Sequence, residues 1–337
     1  MLRIAYDDLY QALESAMQHL GLQGDRAGLC ARLFAETTRD GVYTHGLNRF
    51  PRFAEMVANG CIDVTAEPTQ AAGAGALERW DGHLGPGNLN AHTAMQRAIE
   101  LARRHGLGGV ALANTNHWMR GGSYGWLAAE AGVFAICWTN TLANLPPWGA
   151  STPALGNNPL VIAIPRPAGA HVVLDMAMSQ FSYGTLSSYS AKGQRLPVAG
   201  GYDEAGQLTW DPAAIEASKR ALAIGYWKGS GLSLVLDMLA AMLSGGNATH
   251  DIPQEPTRES GVSQVFLAID PSSLAARENM DAIATAILDS LGKATPIDPA
   301  RPVRYPGEHT FQIRHENLRL GVPVDPEIWQ NLQKLSF

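Results

Sequence analysis

The segment Gly41-Val-Tyr-Thr-His-Gly-Leu-Asn-Arg-Phe-Pro-Arg-Phe53 places His45 four residues before Arg49. An imidazole can give a proton to a carbonyl oxygen. A guanidinium can hold a carboxylate through two parallel hydrogen bonds. Reduction of a 2-oxo acid needs that pair. His45 falls in a short glycine-flanked break between two helix-like segments, with Thr44 and Asn48 as further hydrogen-bonding groups beside it. The spacing puts Arg49 and Arg52 in the first turn of the next helix. Cations there oppose the macrodipole by about 0.3–1 kcal/mol each. A bound anion would resolve the conflict, and so would solvent or acidic neighbours such as Glu55.

A second cluster, Asn116-His-Trp-Met-Arg-Gly-Gly-Ser-Tyr-Gly-Trp126, follows an apolar run ending at Ala113. It puts His117 and Arg120 in a strand-end loop, where ligand groups often lie. The ten histidines show no HxxxH or HExxH spacing, so no metal site is expected. The absence of a GxSxG elbow argues against Ser-His-Asp hydrolysis.

A dehydrogenase commonly shows GxGxxG between its first strand and helix. Neither Gly73-Ala-Gly75 nor Gly82-His-Leu-Gly-Pro-Gly87 completes that pattern. Two other segments could meet a dinucleotide. In Val172-Val-Leu-Asp-Met-Ala-Met-Ser179 a buried strand ends at Asp175. Its carboxylate could accept hydrogen bonds from ribose hydroxyls and repel a 2′-phosphate, or it could simply cap a turn. In Gly225-Tyr-Trp-Lys-Gly-Ser-Gly231, Lys228 stands at the mouth of an apolar helix. Free backbone amides there suit a phosphate, and Trp227 could cover a flat ring. A tight turn needed for packing is the alternative.

These residues need a scaffold. Leu9, Leu13, Ala16, Met17 and Leu20 recur at helical spacing before Gly21. A second helix is expected from about Asp25 to Arg39, and a third from about Asn48 to Asn59. β-Rich runs follow at Gly109–Ala113, Val133–Trp138, Leu160–Ile164, His171–Leu174 and Val265–Ile269. Helices are expected at Leu89–His105, Gly231–Leu243 and Asp281–Leu291. A mixed sheet covered by helices accounts for this order. The polar stretch His250–Gly261 reads as an exposed loop.

Bulk composition narrows the partners. The 337 residues carry a net charge of −6, with 46% hydrophobic and 17% charged residues, as in an ordinary globular protein. No long basic run suggests nucleic acid. Cys30, Cys61 and Cys137 are odd in number and widely spaced, which argues against a disulfide framework. No apolar run approaches the ~20 residues that span a bilayer. A reducing cytoplasm is the expected compartment.

Together the segments TTRDGVYTHGLNRFPRF, NTNHWMRGGSYGW, ICWTN, PPWGA, DMAMSQFSYG, GYWKGSG and PGE give a chain that resembles the malate/L-lactate dehydrogenase-like family over essentially its whole length. NHWMRGGSYGW and PPWGA are similar to its sugar-acid branch. The resemblance implies a non-Rossmann α/β fold: a mixed, largely antiparallel sheet in a dinucleotide-binding lobe, and a mainly helical second lobe. The lobes divide as a helical cap at 1–70, a mixed-sheet lobe at 71–227, and a 228–337 segment completing both. It implies His45 as acid/base. It implies cofactor contacts from His171, Val172, Val173, Leu174, Asp175, Met176, Ala177, Met178 and Ser179, from Trp227 and Lys228, and from Gly307, Glu308 and His309. It also implies a homodimer.

The expected activity is NAD(H)-dependent reduction of a 2-oxo sugar acid, with NADP as the other cofactor to consider. Thr44, Asn48, Arg49, His117 and Arg120 are the expected substrate contacts. Malate, lactate, ureidoglycolate, sulfolactate or a cyclic imino acid would suit the same acid and clamp. A non-catalytic sugar-acid binding protein is the reading from another class.

Overall fold

The computed structural model describes residues 2–274 and 276–335. The chain opens with a short strand β1 (Leu2–Ile4), then helices α1 (Tyr6–His19) and α2 (Gly24–Arg39). Two 3-10 turns, Tyr43–His45 and Leu47–Arg49, lead into α3 (Phe50–Ala58). Arg49 is thus the residue capping α3, just ahead of the first turn expected for it, while Arg52 lies in that turn.

A hairpin follows, β2 (Thr69–Ala74) and β3 (Leu77–Asp81), then α4 (Gly87–His105) and β4 (Leu107–Asn116). Next come α5 (Gly122–Glu130), β5 (Phe134–Thr139), β6 (Leu160–Ile164) and β7 (Val172–Met176). An excursion holds α6 (Tyr183–Ala191), the tiny strands β8 (Gly201–Tyr202) and β9 (Leu208–Thr209), and α7 (Pro212–Ser218). The chain ends through α8 (Trp227–Ser244), β10 (Ser260–Ile269), α9 (Arg277–Gly292), α10 (Glu308–Leu320), β11 (Val322–Val324) and α11 (Pro326–Leu335).

Seven strands form one sheet in the order β2-β3-β4-β10-β5-β6-β7. Only β3 and β4 run parallel, joined by the crossover helix α4; the other pairs are antiparallel. The fold is therefore mixed α/β with no doubly wound parallel sheet. β10 is late in sequence but central in space. Its burial on both faces explains an almost unbroken apolar run, Val265–Ile269.

Three large cores hold the described residues together. Met95, Trp118, Tyr124 and Phe266 pack one sheet face against α4 and α5. Trp138, Ile215, Leu236 and Val265 pack the other. The third core is helical. Phe34 of α2 meets Phe50 and Phe53 of α3 edge to face, at 6.1 and 5.5 Å between ring centres. Val322 and Val324 join it, because β11 pairs antiparallel with β1 and ties the two chain ends together.

Candidate active site

The break that carries His45 is built by the end of α2. Gly41, at φ +83°, follows the last helical turn, where Gly41 N–H donates to Thr38 O and Val42 N–H to Thr37 O. This closure turns the chain sharply. Thr38, buried, donates its hydroxyl to Phe34 O and accepts Leu47 N–H, both at 2.8 Å. Gly46 lies so close to Thr38 that a Cβ there would stand 2.8 Å from the Thr38 amide nitrogen. The Tyr43–Arg49 segment is therefore clamped to a helix, and His45 projects from a fixed base.

His45 and His117 stack with ring centres 5.9 Å apart and planes 20° apart. His117 leaves β4 and accepts the Met119 amide at its Nδ1, 3.0 Å away. In its neutral form the proton is then assigned to Nε2. Thr44 Oγ1 lies 2.9 Å from His45 Nδ1. Burial, then Arg49 and Arg120, push His45 down to about 4. Burial, then Arg49, His45 and Arg52, push His117 well below its ordinary range. Arg49 is itself pushed down to about 10 by burial and by the nearby charge of Arg52, against the pull of Glu259. Two neutral imidazoles thus face a crowded cationic wall.

That wall closes a pocket of about 440 Å³ that includes Thr44, His45, Arg49, Arg52 and His117. Its lining also includes amides and hydroxyls, among them Thr141, Asn144, Asn157 and Gln254. A separate apolar groove of 320 Å³ beside α9 presents no histidine.

Two expected substrate contacts are not at this pocket. Arg120 is buried, and its guanidinium donates to Asp40 at 2.7 Å. Arg314 also grips Asp40, at 2.9 and 2.7 Å. Burial would raise the Asp40 carboxyl, but Arg120, Arg314 and Arg39 outweigh it and hold it well below the usual carboxylate range. The charge of Arg120 is thus committed inside the protein, although it still bears on His45. Asn48 is exposed and does not line the pocket. Conversely, His250–Gly261 is no plain exposed loop: it sends Gln254, Pro256 and Glu259 into the pocket, and Glu259 is buried. Those residues, like Asn144 and Asn157, carry no local motif. Only their place in the fold finds them.

The candidate dinucleotide residues follow one edge of the sheet. β7 is the edge strand, and Val173 N–H donates to Pro306 O at 3.0 Å. Gly307, at φ +95°, starts α10 with its would-be Cβ 3.0 Å from Val173 N. Glu308 and His309 follow in the first turn, where His309 Nδ1 lies 3.1 Å from an Arg304 nitrogen. At the other end of β7, Ile224 N–H donates to Met178 O at 2.9 Å, which brings the start of α8 beside it. There Trp227 and Lys228 are exposed.

Asp175 accepts Gly122 N–H at 2.8 Å, so it caps the start of α5 with one oxygen. The residue keeps solvent-accessible surface, while the protein packed around its carboxyl raises it against the pull of Arg120 and of the Gly122 N–H. Val172, Leu174, Met176 and Ala177 are half-buried along the same strand. The side chains of His171, Val173, Met178 and Ser179 point inward and are buried. The His171 ring is held by Arg166 N–H and lies against Trp126. A ligand could meet these four chiefly through backbone. The buried Ser179 hydroxyl has no hydrogen-bond partner among the described residues. Downstream of Ser179, the start of α6 packs Gly184 against Thr44. The strand edge therefore runs directly into the histidine pocket.

A polar pocket pairing two histidines with an anion clamp, beside an edge strand ending in a carboxylate, fits hydride-transfer enzymes that lack a glycine-rich Rossmann turn. Residues 4–333 match the malate/L-lactate dehydrogenase family, and the chain belongs to it. It is an oxidoreductase, and its family implies a nicotinamide cofactor. The chain is 46% identical to the 2,3-diketo-L-gulonate reductase of Citrobacter koseri, over 99% of this chain and 100% of that one. Its structure is similar to sulfolactate dehydrogenase from Methanocaldococcus jannaschii, with a TM-score of 0.90 and 25% identity over 99% of this chain and 96% of that one. It is also similar to delta1-piperideine-2-carboxylate reductase from Pseudomonas syringae, with a TM-score of 0.88 and 26% identity over 99% and 100%. No helix among the described residues is long and apolar enough to cross a membrane.

Proposed function

We propose that the protein reduces a 2-oxo sugar acid with NADH, converting 2,3-diketo-L-gulonate to 3-dehydro-L-gulonate. The stacked His45–His117 pair beside Arg49 is the observation that carries this reading. The identity to 2,3-diketo-L-gulonate reductases supports the substrate.

Arg49 takes the substrate carboxylate. The cancelled charge raises the proton affinity of His45, which is low while Arg49 is unpaired. His45 then holds the proton that passes to the reduced oxygen, and Thr44 steadies its ring at Nδ1. His117, with Nδ1 already occupied by Met119 N–H, offers Nε2–H to the same oxygen or to the neighbouring carbonyl. When bound, the nicotinamide cofactor supplies the hydride to the ketone carbon. Asp175, the Gly307–His309 turn, Trp227 and Lys228 are the residues that would hold it. The Asp175 oxygen not taken by Gly122 N–H would accept ribose hydroxyls and disfavour a 2′-phosphate, which would favour NAD over NADP. Reduction is favoured toward lower pH because His45 must be protonated, and oxidation toward higher pH.

The enzyme works in the cytoplasm as a homodimer. The exposed apolar face of α8, with Leu234, Val235, Met238 and Met242, supports self-association. Replacing His45 by Gln keeps size and polarity but removes the titrating group. The expected loss in kcat is about 100- to 10,000-fold. A His45→Gln enzyme with wild-type turnover would refute the assignment.

A further inference from the structure

Arg52 and Glu259 face each other across the pocket wall, and neither is explained by proton transfer or by holding one carboxylate. Arg52 Nη2 lies 3.8 Å from Glu259 Oε2, close enough for charge pairing and too far for a hydrogen bond. Arg52 Nε and Nη2 are buried with no hydrogen-bond partner among the described residues. Glu259 is buried too, 5% exposed, and its other oxygen accepts Leu142 N–H at 3.2 Å. A carboxylate is costly to bury without a compelling partner. The fixed charges lining the pocket are Arg49, Arg52 and Lys219 against Glu216 and Glu259, so one positive charge remains uncompensated. The rest of the lining carries no fixed charge. Asn144 Oδ1, among it, is a buried acceptor without a partner among the described residues.

We propose that the Arg52–Glu259 pair sets the charge of the substrate this pocket accepts: a 2-oxo acid with one carboxylate and a neutral, hydroxyl-bearing tail, with dicarboxylates rejected. Arg49 takes the single carboxylate. Glu259 neutralises Arg52 and repels a second anion. The unpaired N–H groups of Arg52 and the Asn144 acceptor are left for hydroxyls. This deepens the 2-oxo acid reading and rests on it. Discrimination of this kind works by repulsion as much as by attraction.

The test compares succinate with succinamate, its monoamide, which differs by one charge at nearly constant shape. Binding is measured by calorimetry on wild type, Glu259→Gln and the double variant Arg52→Met/Glu259→Gln. Wild type is expected to bind succinamate more tightly. Glu259→Gln keeps an acceptor for Leu142 N–H, and is expected to tighten succinate at least tenfold while moving succinamate less than threefold. The double variant should lose that gain. Equal shifts for both acids, no shift, or a wild type that already prefers succinate would overturn the proposal. Even if a variant fails to fold, a wild type that prefers succinate overturns the proposal. Turnover of 2,3-diketo-L-gulonate and oxaloacetate with NADH is measured in parallel. Turnover of neither, with the charge preference intact, sinks the reductase reading alone. Turnover of the sugar acid with no charge preference sinks this one alone. Absence of binding and of turnover overturns both.

Discussion

At the residue scale, the proposed reaction turns on His45, an imidazole whose protonation is disfavoured by burial and nearby cations. Burial, then the charges of Arg49 and Arg120, push it to about 4, while the proposed proton transfer requires an imidazolium. Binding a carboxylate at Arg49 should therefore draw a proton onto His45. Calorimetry at pH 6 in buffers of different ionisation enthalpy should show net proton uptake with an inert monocarboxylate such as oxamate. Binding with no proton exchanged would contradict the linkage. Arg49→Met should raise KM by roughly ten- to a hundredfold, the loss of a charged hydrogen-bond pair worth about 1.5–3 kcal/mol. Unchanged KM would remove Arg49 from the carboxylate role. Much of this site was readable in the chain. Thr44, His45 and Arg49 are adjacent in sequence, and His117 follows an evident strand. Arg120 was misread because its partner, Asp40, lies 80 positions away. Sequence spacing says what a side chain can do, and only the fold says which partner has already taken it.

At the element scale, the histidine depends on the seating of α3 on α2. Phe34 anchors both Phe50 and Phe53. Phe34→Ala should destabilise the chain by about 3–5 kcal/mol, read in a urea melt. It should also lower activity beyond what the unfolded fraction explains. A variant of near-native stability would show that this core is not what holds the site. The long helices and the central strands were legible from their periodicity. β1 and β11 were not, because three residues cannot display a period. β2 was missed because Thr69–Ala74 is small, polar and exposed throughout, and its pairing comes from its neighbour, not from its own apolar face. The segment at 250–261 was read as solvent-facing by its polarity. A polar pocket uses the same residue types as a surface.

At the whole-molecule scale, burial of imidazoles links stability to acidity. His45 and His92 are both pushed down to about 4 by burial, helped by Arg49 and Arg120 for the first and by Arg32 for the second. The unfolded chain, with histidines near 6.5, binds more protons than the folded one between those values. Stability is therefore full above pH 6.5 and falls as pH drops toward 4, by about 1.4 kcal/mol per pH unit for each group. His92→Gln, away from the pocket, should flatten that slope by about a quarter to a third in thermal melts across pH 4.5–7, since His117 and His171 are pushed down as well. An unchanged slope would mean that His92 titrates normally. The pocket, the histidine pair and the edge strand all serve one proposed reaction. Its most direct test is the steady-state rate of NADH oxidation with 2,3-diketo-L-gulonate, set against oxaloacetate, pyruvate and a cyclic imino acid, and repeated with NADPH. The account predicts the highest kcat/KM for 2,3-diketo-L-gulonate with NADH. No turnover of that acid, or a clear preference for another of the panel, would contradict it.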